Sequence, residues 1–316
     1  MTRRIVASGF VLSCLLAWSA LAVAWGADPP AAPAAKTKFI RLDRDPSGVP
    51  LALQTAVVRF VSTDPAQSGL AVDLIGAVHV GEKTYYEALN KQFAGYDVVL
   101  YELVAPAGTR VPKGAKTGGH PVAMLQNGLK DMLQLEHQLE YIDYTKANMV
   151  HADMSPDEFA KSMNDRGESF FGMFFRMMGQ AMAKQSQQKT KSSASDLDLL
   201  SAFFNKDRAG TMKRVMAEQF EDLDGMMDAL GGPQGSTIIT ERNKVVIKKL
   251  AEQIAGGKKK IAIFFGAGHM SHIEKELEAD FHLRRTSELW LTAWKLEAAP
   301  PASKPAAKKP SAPISP

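Results

Sequence analysis

Two similar stretches decide the fold: AVDLIGAVHV at residues 71–80 and KIAIFFGAGH at residues 260–269. Each is an apolar run that is followed by Gly-x-x-His and then by a segment with helical spacing. Short apolar runs bounded in this way are typical of buried β-strands. A third such run, DVVLYE at residues 97–102, lies between them in the chain. We therefore predict strands that end near His79, Glu102 and Phe265.

The segment between the predicted strands at residues 71–80 and 97–102 predicts a helix, because residues 85, 86, 89 and 93 are apolar and helically spaced. A strand, a helix and a strand in succession form a βαβ unit, and such units build parallel sheets. We expect an α/β fold with a mainly parallel central sheet and flanking helices. Further strands are predicted at residues 51–61 and 287–296. Helical patterns over about residues 121–235 predict a largely helical insertion.

One helix start within the insertion is well marked. Ser155-Pro156-Asp157-Glu158 supplies an N-cap, a proline in the first turn and a capping-box glutamate. We expect this helix to continue through the Met- and Phe-rich run 170–182, either as a buried helix or as a lid or membrane-contacting helix. His151 and Asp153 precede the cap, and we interpret them as polar loop residues, with a pocket position as the alternative.

The two ends of the chain differ from its middle. Two arginines and an uncharged apolar run in residues 1–27 predict a cleaved signal peptide and a secreted or periplasmic protein. An uncleaved membrane anchor is the alternative. Residues 28–45 read as a Pro/Ala-rich linker, residues 46–296 as the folded domain, and residues 297–316 as a disordered Ala/Pro/Lys tail.

Charge and composition exclude several classes of function. Arg3 and Arg4 carry two of the four net positive charges, and the tail, with three lysines and one glutamate, carries the other two. The remaining residues, 28–296, are neutral, which argues against a nucleic-acid partner. The tail is then a solvated spacer, or it contacts an anionic envelope surface. Cys14, the only cysteine, lies in the signal segment, so the mature chain has no disulfide or thiol nucleophile.

The predicted strand ends carry the chemistry. Ligands of open α/β sheets bind beyond the carboxyl ends of the strands, where His79, Glu102 and His269 are expected to meet. Two histidines and a carboxylate can hold a divalent metal with open positions, or they can act as acid, base and orienting group without one. The chain has no Gly-x-Ser-x-Gly, P-loop or Gly-x-Gly-x-x-Gly motif, which argues against a serine elbow or a nucleotide cofactor.

The paired Gly-x-x-His segments, the strand-end Glu102 and the helix start Glu241-Arg242-Asn243 resemble the TraB/GumN/Tiki family. The resemblance implies an exported metal-dependent hydrolase that cleaves a peptide or protein substrate. Its divalent metal would be held by His79, His269 and Glu102, with Arg242 and Asn243 beside it. The wider superfamily also includes haem-binding proteins, so a non-catalytic ligand-binding protein is the alternative. Ala77 departs from the family, which has a small hydroxyl residue there.

Roles for the residues can be stated as expectations. Burial at a strand end would raise the pKa of Glu102 towards neutrality and make it a general base. Arg242 would stabilise the oxyanion, and Asn243 would orient that group or a histidine. The structural alternative is a buried Glu102–Arg242 ion pair that braces the edge of the sheet.

We expect the residues after about 24–27 to form the mature protein, because small residues precede the linker there. N-terminal sequencing of protein from the cell-envelope fraction tests this. An intact Met1 in a soluble cytoplasmic pool would contradict export, whereas an intact terminus in the membrane fraction would support the anchor.

Overall fold

The computed structural model describes residues 38–114, 135–169, 172, 208–220 and 235–296. In these ranges the strands are β1 Ile40–Arg44, β2 Pro50–Ser62, β3 Ala71–Ala77, β4 Val80–Gly81, β5 Val98–Tyr101, β6 Glu136–His137, β7 Met149–His151, β8 Lys260–Gly266 and β9 Leu283–Lys295. The helices are α1 Lys83–Phe93, α2 Gln138–Tyr141, α3 Pro156–Asp165, α4 Arg208–Phe220, α5 Arg242–Ala255 and α6 Ala267–Asp280. Two shorter turns add Pro65–Gln67, a 3₁₀ helix, and Thr237–Glu241, a π-helical turn that leads into α5.

A seven-stranded mixed sheet forms the centre of the fold. Its four parallel strands lie in the order β3-β8-β5-β7. Antiparallel β2 continues the sheet beyond β3; one edge of β2 pairs with β1 and β3, and its other edge pairs with β9. The predicted α/β fold with a mainly parallel central sheet is therefore confirmed. The crossover from β3 through α1 to β5 leaves room for β8 between them, so the two Gly-x-x-His segments follow neighbouring strands.

The parallel strands are buried on both faces, as continuous apolar runs predict. Phe264 and Phe265 in β8 are each 1 % exposed, and consecutive strand residues point to opposite faces. Phe264 packs edge-on against Phe93 of α1, with ring centroids 4.9 Å apart, and Phe265 packs against His269 of α6 at 5.5 Å. Helices therefore cover both faces of the sheet and hold its strand ends in place.

The sequence predicted the start of α3 correctly but not its end. The Ser155 side chain accepts from the Glu158 N–H and the Glu158 side chain accepts from the Ser155 N–H, which completes the capping box. The helix ends at Asp165 and does not continue to the Met- and Phe-rich run, because Gly167 adopts a φ of 61°, a left-handed conformation that stops a helix.

Two strands of the central sheet were not predicted, and neither was the two-residue β6, which lies in the predicted helical insertion. Ile40–Arg44, inside the range assigned to the linker, forms β1, whose charged residues alternate with buried ones and obscure the apolar run. Met149–His151, inside the helical insertion, forms β7, which at three residues is too short for a periodic signal. The signal segment 1–27, the tail 297–316 and the run 170–182, apart from Gly172, lie outside the described residues. Within the described ranges, no helix is long and apolar enough to cross a membrane.

Candidate functional site

Side chains from three strand ends and from the start of helix α5 meet at the carboxyl edge of the parallel sheet. Glu102 follows β5, Asp153 follows β7, and His269 lies in the first turn of α6 directly after β8. Arg242 and Asn243 open α5, which packs beside them. Four of the five predicted site residues, Glu102, Arg242, Asn243 and His269, are brought into direct contact with one another. The fifth, His79, is not.

His79 lies at the same edge without touching the others. It is exposed in the short connection between β3 and β4, and its backbone oxygen accepts from the N–H of Gln138 at 2.9 Å. Its side chain makes no hydrogen bond or ion pair with the described residues. Its charge nevertheless contributes to lowering the pKa of Glu102, so it lies within electrostatic range.

The two Gly-x-x-His segments differ in structure although their sequences agree. Gly76 lies inside β3, where a side chain would meet the backbone oxygen of Phe39 at 3.3 Å, so this glycine permits close packing against β1. Gly266 instead caps α6, and His269 becomes the third residue of that helix. His269 is therefore buried, with 4 % of its surface exposed, whereas His79 faces solvent.

Both oxygens of the Glu102 carboxylate accept hydrogen bonds. Oε1 accepts from Nη2 of Arg242 at 2.6 Å, and Oε2 accepts from the backbone N–H of Gly266 at 2.6 Å. A side chain at position 266 would place its Cβ only 3.3 Å from Oε2. Glycine at this position therefore lets the carboxylate reach the end of β8 and join the ends of β5 and β8.

The pKa of Glu102 is shifted in the opposite direction to the one predicted. Burial alone would raise the pKa, but the positive charges of His269 and Arg242 together outweigh burial and hold it well below its usual range. The expectation of a Glu102 that titrates near neutrality is therefore wrong. The ionised carboxylate is stabilised, which makes Glu102 a weak proton acceptor.

Asp153 belongs to this cluster: it lies in the loop after β7, as predicted, but it takes the pocket position that was the alternative. Its side chain is fully buried, and its two oxygens accept hydrogen bonds from Nε and Nη2 of Arg242 at 2.9 and 2.6 Å. The N–H of Met154 adds a third hydrogen bond at 2.7 Å. A bidentate contact of this kind fixes the plane of the guanidinium as well as its position.

Arg242 uses all five of its N–H groups within the protein. Three of them reach Asp153 and Glu102, as described. The two on Nη1 face the backbone oxygen of Ile238 and Nε2 of His269, both at 3.4 Å. The hydrogen bonds from Arg242 to the two carboxylates are short, whereas its contacts with Ile238 and His269 are long. Arg242 therefore primarily positions the two acidic side chains. The guanidinium has no unused donor for an oxyanion in this arrangement.

The orientation of His269 is set by Asn243, which is fully buried. Nδ2 of Asn243 donates to the backbone oxygen of His269 at 3.2 Å, so Oδ1 of the same amide faces Nδ1 of the imidazole at 2.7 Å. An amide oxygen can only accept, and Nδ1 must therefore carry the proton. The other ring nitrogen, Nε2, lies 3.5 Å from Oε1 of Glu102.

The residues in this arrangement do not form the three-ligand metal site that the resemblance implies. Within the described ranges, no group of three or more His, Cys, Asp or Glu side chains is placed to hold a metal ion. His79 is turned to solvent, and the guanidinium of Arg242 already lies against Glu102 and beside Nε2 of His269. Within this cluster, His269 and Glu102 face each other as potential ligands.

We expect Asp153→Asn to lower the free energy of unfolding by about 1.5–3 kcal/mol, because the amide turns one of the two oxygens that accept from Arg242 into a donor. Urea unfolding measures the change. Asp157→Asn is the matched control: this aspartate is exposed in the first turn of α3, and its loss should cost less than about 1 kcal/mol. Equal effects of the two substitutions would contradict the structural role of Asp153.

The stabilisation that Glu102 provides should be lost in acid. Since its pKa is lowered by folding, the carboxylate contributes fully above the ordinary glutamate value of about 4.3, and its contribution falls as the pH drops towards the lower folded pKa. The test compares the unfolding free energies of the unaltered protein and Glu102→Gln between about pH 7 and pH 3. The difference should be constant above about pH 5 and shrink below about pH 4. A constant difference down to pH 3 would show that folding does not depress this pKa.

Comparison of the chain with models of known protein families, with curated proteins and with solved structures found no match. The resemblance to the TraB/GumN/Tiki family therefore rests on the paired Gly-x-x-His segments, Glu102 and the Arg242-Asn243 helix start, and membership stays a prediction.

Proposed function

We propose that this protein is an exported hydrolase whose reacting groups are the imidazole of His269 and the carboxylate of Glu102. The observation that carries the proposal is their mutual placement: Nε2 and Oε1 lie 3.5 Å apart at the carboxyl edge of a parallel sheet, each fixed by separate partners. Reacting groups that are held before substrate arrives need little rearrangement during the reaction.

His269 is the general base in this proposal. Asn243 holds the proton on Nδ1, so a neutral imidazole presents the lone pair of Nε2 to the cluster. The contact from Nη1 of Arg242 to Nε2 is long, at 3.4 Å, and a water molecule can compete with it. Nε2 would accept a proton from that water as its oxygen attacks a carbonyl carbon, and would return it to the leaving group.

Glu102 then acts as the electrostatic partner of His269. Its lowered pKa keeps it ionised at neutral pH, and a nearby carboxylate favours the imidazolium that forms when His269 accepts a proton. The oxyanion needs donors other than Arg242, whose N–H groups are all in use. The first turn of α6 is suitable, because the backbone N–H groups there have no partner within the helix.

A divalent metal is the second candidate for activating the water, and one observation favours it. The hydrogen bond from Nδ1 of His269 to Asn243 leaves Nε2 facing Glu102, with only a long contact from Arg242, and a metal-bound imidazole is supported through its other nitrogen in the same way. His269, Glu102 and a reoriented His79 would be the ligands, and the metal would lower the pKa of a bound water. The proposed peptide substrate rests on the family resemblance alone.

The deciding experiment is a peptide-library cleavage assay on the purified mature protein, with and without chelator, together with metal analysis. We expect His269→Gln to reduce cleavage at least about a hundredfold, as loss of a general base does. His272→Gln is the matched control: His272 lies one turn further along α6, is 30 % exposed and should be dispensable.

The outcomes separate the candidates. Cleavage that survives chelation but not His269→Gln supports the acid–base pair without metal. Loss of cleavage and of bound metal in both His79→Ala and His269→Gln supports the metal. Cleavage that survives His269→Gln would assign the activity to a contaminant. Tight binding of a peptide or haem without any cleavage would support the non-catalytic alternative.

A further inference from the structure

A second cavity, of about 420 Å³, opens at the opposite end of the sheet, where the parallel strands begin. It lies across β9, β2, β3 and the start of β8, beside the end of α1. We call it the amino-edge groove, and the residues that matter for the argument are Arg59, Asp73, Gln92, Lys260, Ser287 and Leu289. None of them belongs to the site at the carboxyl edge.

The guanidinium of Arg59 is oriented by a buried carboxylate. Nε and Nη2 each donate to one oxygen of Asp73 at 2.8 Å, and the hydroxyl of Tyr96 donates to the second of these oxygens at 2.6 Å. Asp73 is 3 % exposed, so its own orientation is fixed by the interior of the sheet. The plane of the Arg59 guanidinium is therefore set before any ligand arrives.

Arg59 has donors beyond those that Asp73 takes. Two of its five N–H groups donate to Asp73, and the guanidinium also interacts with the hydroxyl of Tyr96. Its other N–H groups have no acceptor among the described residues. The side chain is 52 % exposed and lines the groove. A rigid guanidinium with free N–H groups in a cavity is suited to an anionic oxygen ligand such as a carboxylate or a phosphate.

Other groups in the groove favour the same kind of ligand. Lys260 adds a second positive charge, which forms no ion pair with the described residues, and Glu288 is paired with Arg285. The charges of the lining residues Arg59, Lys260, Asp73 and Glu288 balance, so an anion would be attracted by the local contact with Arg59 and Lys260 and not by a net charge of the groove. The side-chain oxygen of Gln92 is buried and has no hydrogen-bond partner among the described residues; because it can only accept, the hydroxyl of a singly protonated alkyl phosphate would satisfy it and a carboxylate would not.

An apolar surface continues from these polar groups. Leu289 is 50 % exposed, the highest value among the large hydrophobic residues of the described ranges, and it pairs across the strands with Val57. Both line the groove next to Arg59 and its strand partner Ser287. A ligand with an apolar part would remove this surface from water while its anionic end lies on the guanidinium.

We propose that the amino-edge groove binds a small amphiphilic anion, with its carboxylate or phosphate held by Arg59 and Lys260 and its alkyl part on Leu289 and Val57. This site is independent of the hydrolase proposal, because it shares no residue with the carboxyl edge. It would recognise either a fatty acid or a monoalkyl phosphate, since the two share an anionic head and an apolar tail.

Calorimetric titration of the purified mature protein with octanoate, monooctyl phosphate and inorganic phosphate tests the proposal. We expect Arg59→Lys, which keeps an ion pair with Asp73, to weaken binding of the octyl ligands about tenfold. Lys260→Gln should weaken it about threefold. Leu289→Thr should weaken the octyl ligands about fivefold and leave inorganic phosphate unchanged.

Lys259→Gln is the matched control, because Lys259 is exposed, precedes Lys260 and does not line the groove. Thermal unfolding of each variant checks that it is folded. Preference for octanoate or for octyl phosphate identifies the source of the head group. Absence of binding at about 10 mM ligand, an equal loss in Lys259→Gln, or binding that Arg59→Lys leaves unchanged would overturn the proposal. Inorganic phosphate binding as tightly as the octyl ligands would also overturn it.

Discussion

The contact of one guanidinium with two carboxylates is the interaction on which the carboxyl edge depends. Parallel strands β5 and β7 end side by side, so Glu102 and Asp153 are brought close together and away from water. Two carboxylates in such a place repel each other and lose hydration. Arg242, only 9 % exposed, contacts both at 2.6 Å and makes their joint burial tolerable. Its replacement by lysine would remove the planar fork that reaches both anions.

The charges of this cluster leave a net negative balance. Glu102 and Asp153 carry two negative charges, and Arg242 supplies one positive charge. A buried excess charge is unfavourable, and it attracts a further cation. A proton on Nε2 of His269 or a bound metal ion would supply that charge in the same place, between Nε2 and Oε1 of Glu102. The acid–base and metal-dependent mechanisms are therefore alternative ways to satisfy the same electrostatic requirement.

The sequence was informative where the signal was periodic or strongly apolar. Both Gly-x-x-His strands, the strand before Glu102, α1 and the Ser155 cap follow from patterns over four or more residues. Asp153 was not recognised because β7, the strand that positions it, is three residues long and is preceded by a polar loop. A pattern of that length cannot be distinguished from a loop.

The pKa of Glu102 illustrates a second reason why sequence reasoning falls short. Burial could be inferred from the apolar run before this residue, and burial alone raises a carboxyl pKa. The net direction depends on His269 and Arg242, which are more than a hundred residues away in sequence and contact Glu102 only in the folded chain. Local sequence predicts desolvation, whereas the sign of the shift depends on tertiary contacts.

A bidentate arginine–aspartate pair occurs at both ends of the sheet, but the two arginines differ in their remaining contacts. At each end, a buried aspartate lies on or just after a parallel strand. Its two oxygens accept hydrogen bonds from Nε and Nη2 of an arginine. The remaining donors of Arg242 all contact groups of the protein, and its side chain is 9 % exposed, so its orientation positions the neighbouring side chains. Arg59 has N–H groups without an acceptor among the described residues and is 52 % exposed, so the same orientation is available to a ligand from outside. The number of unused N–H groups, more than the presence of an arginine, distinguishes a residue that positions a site from one that binds.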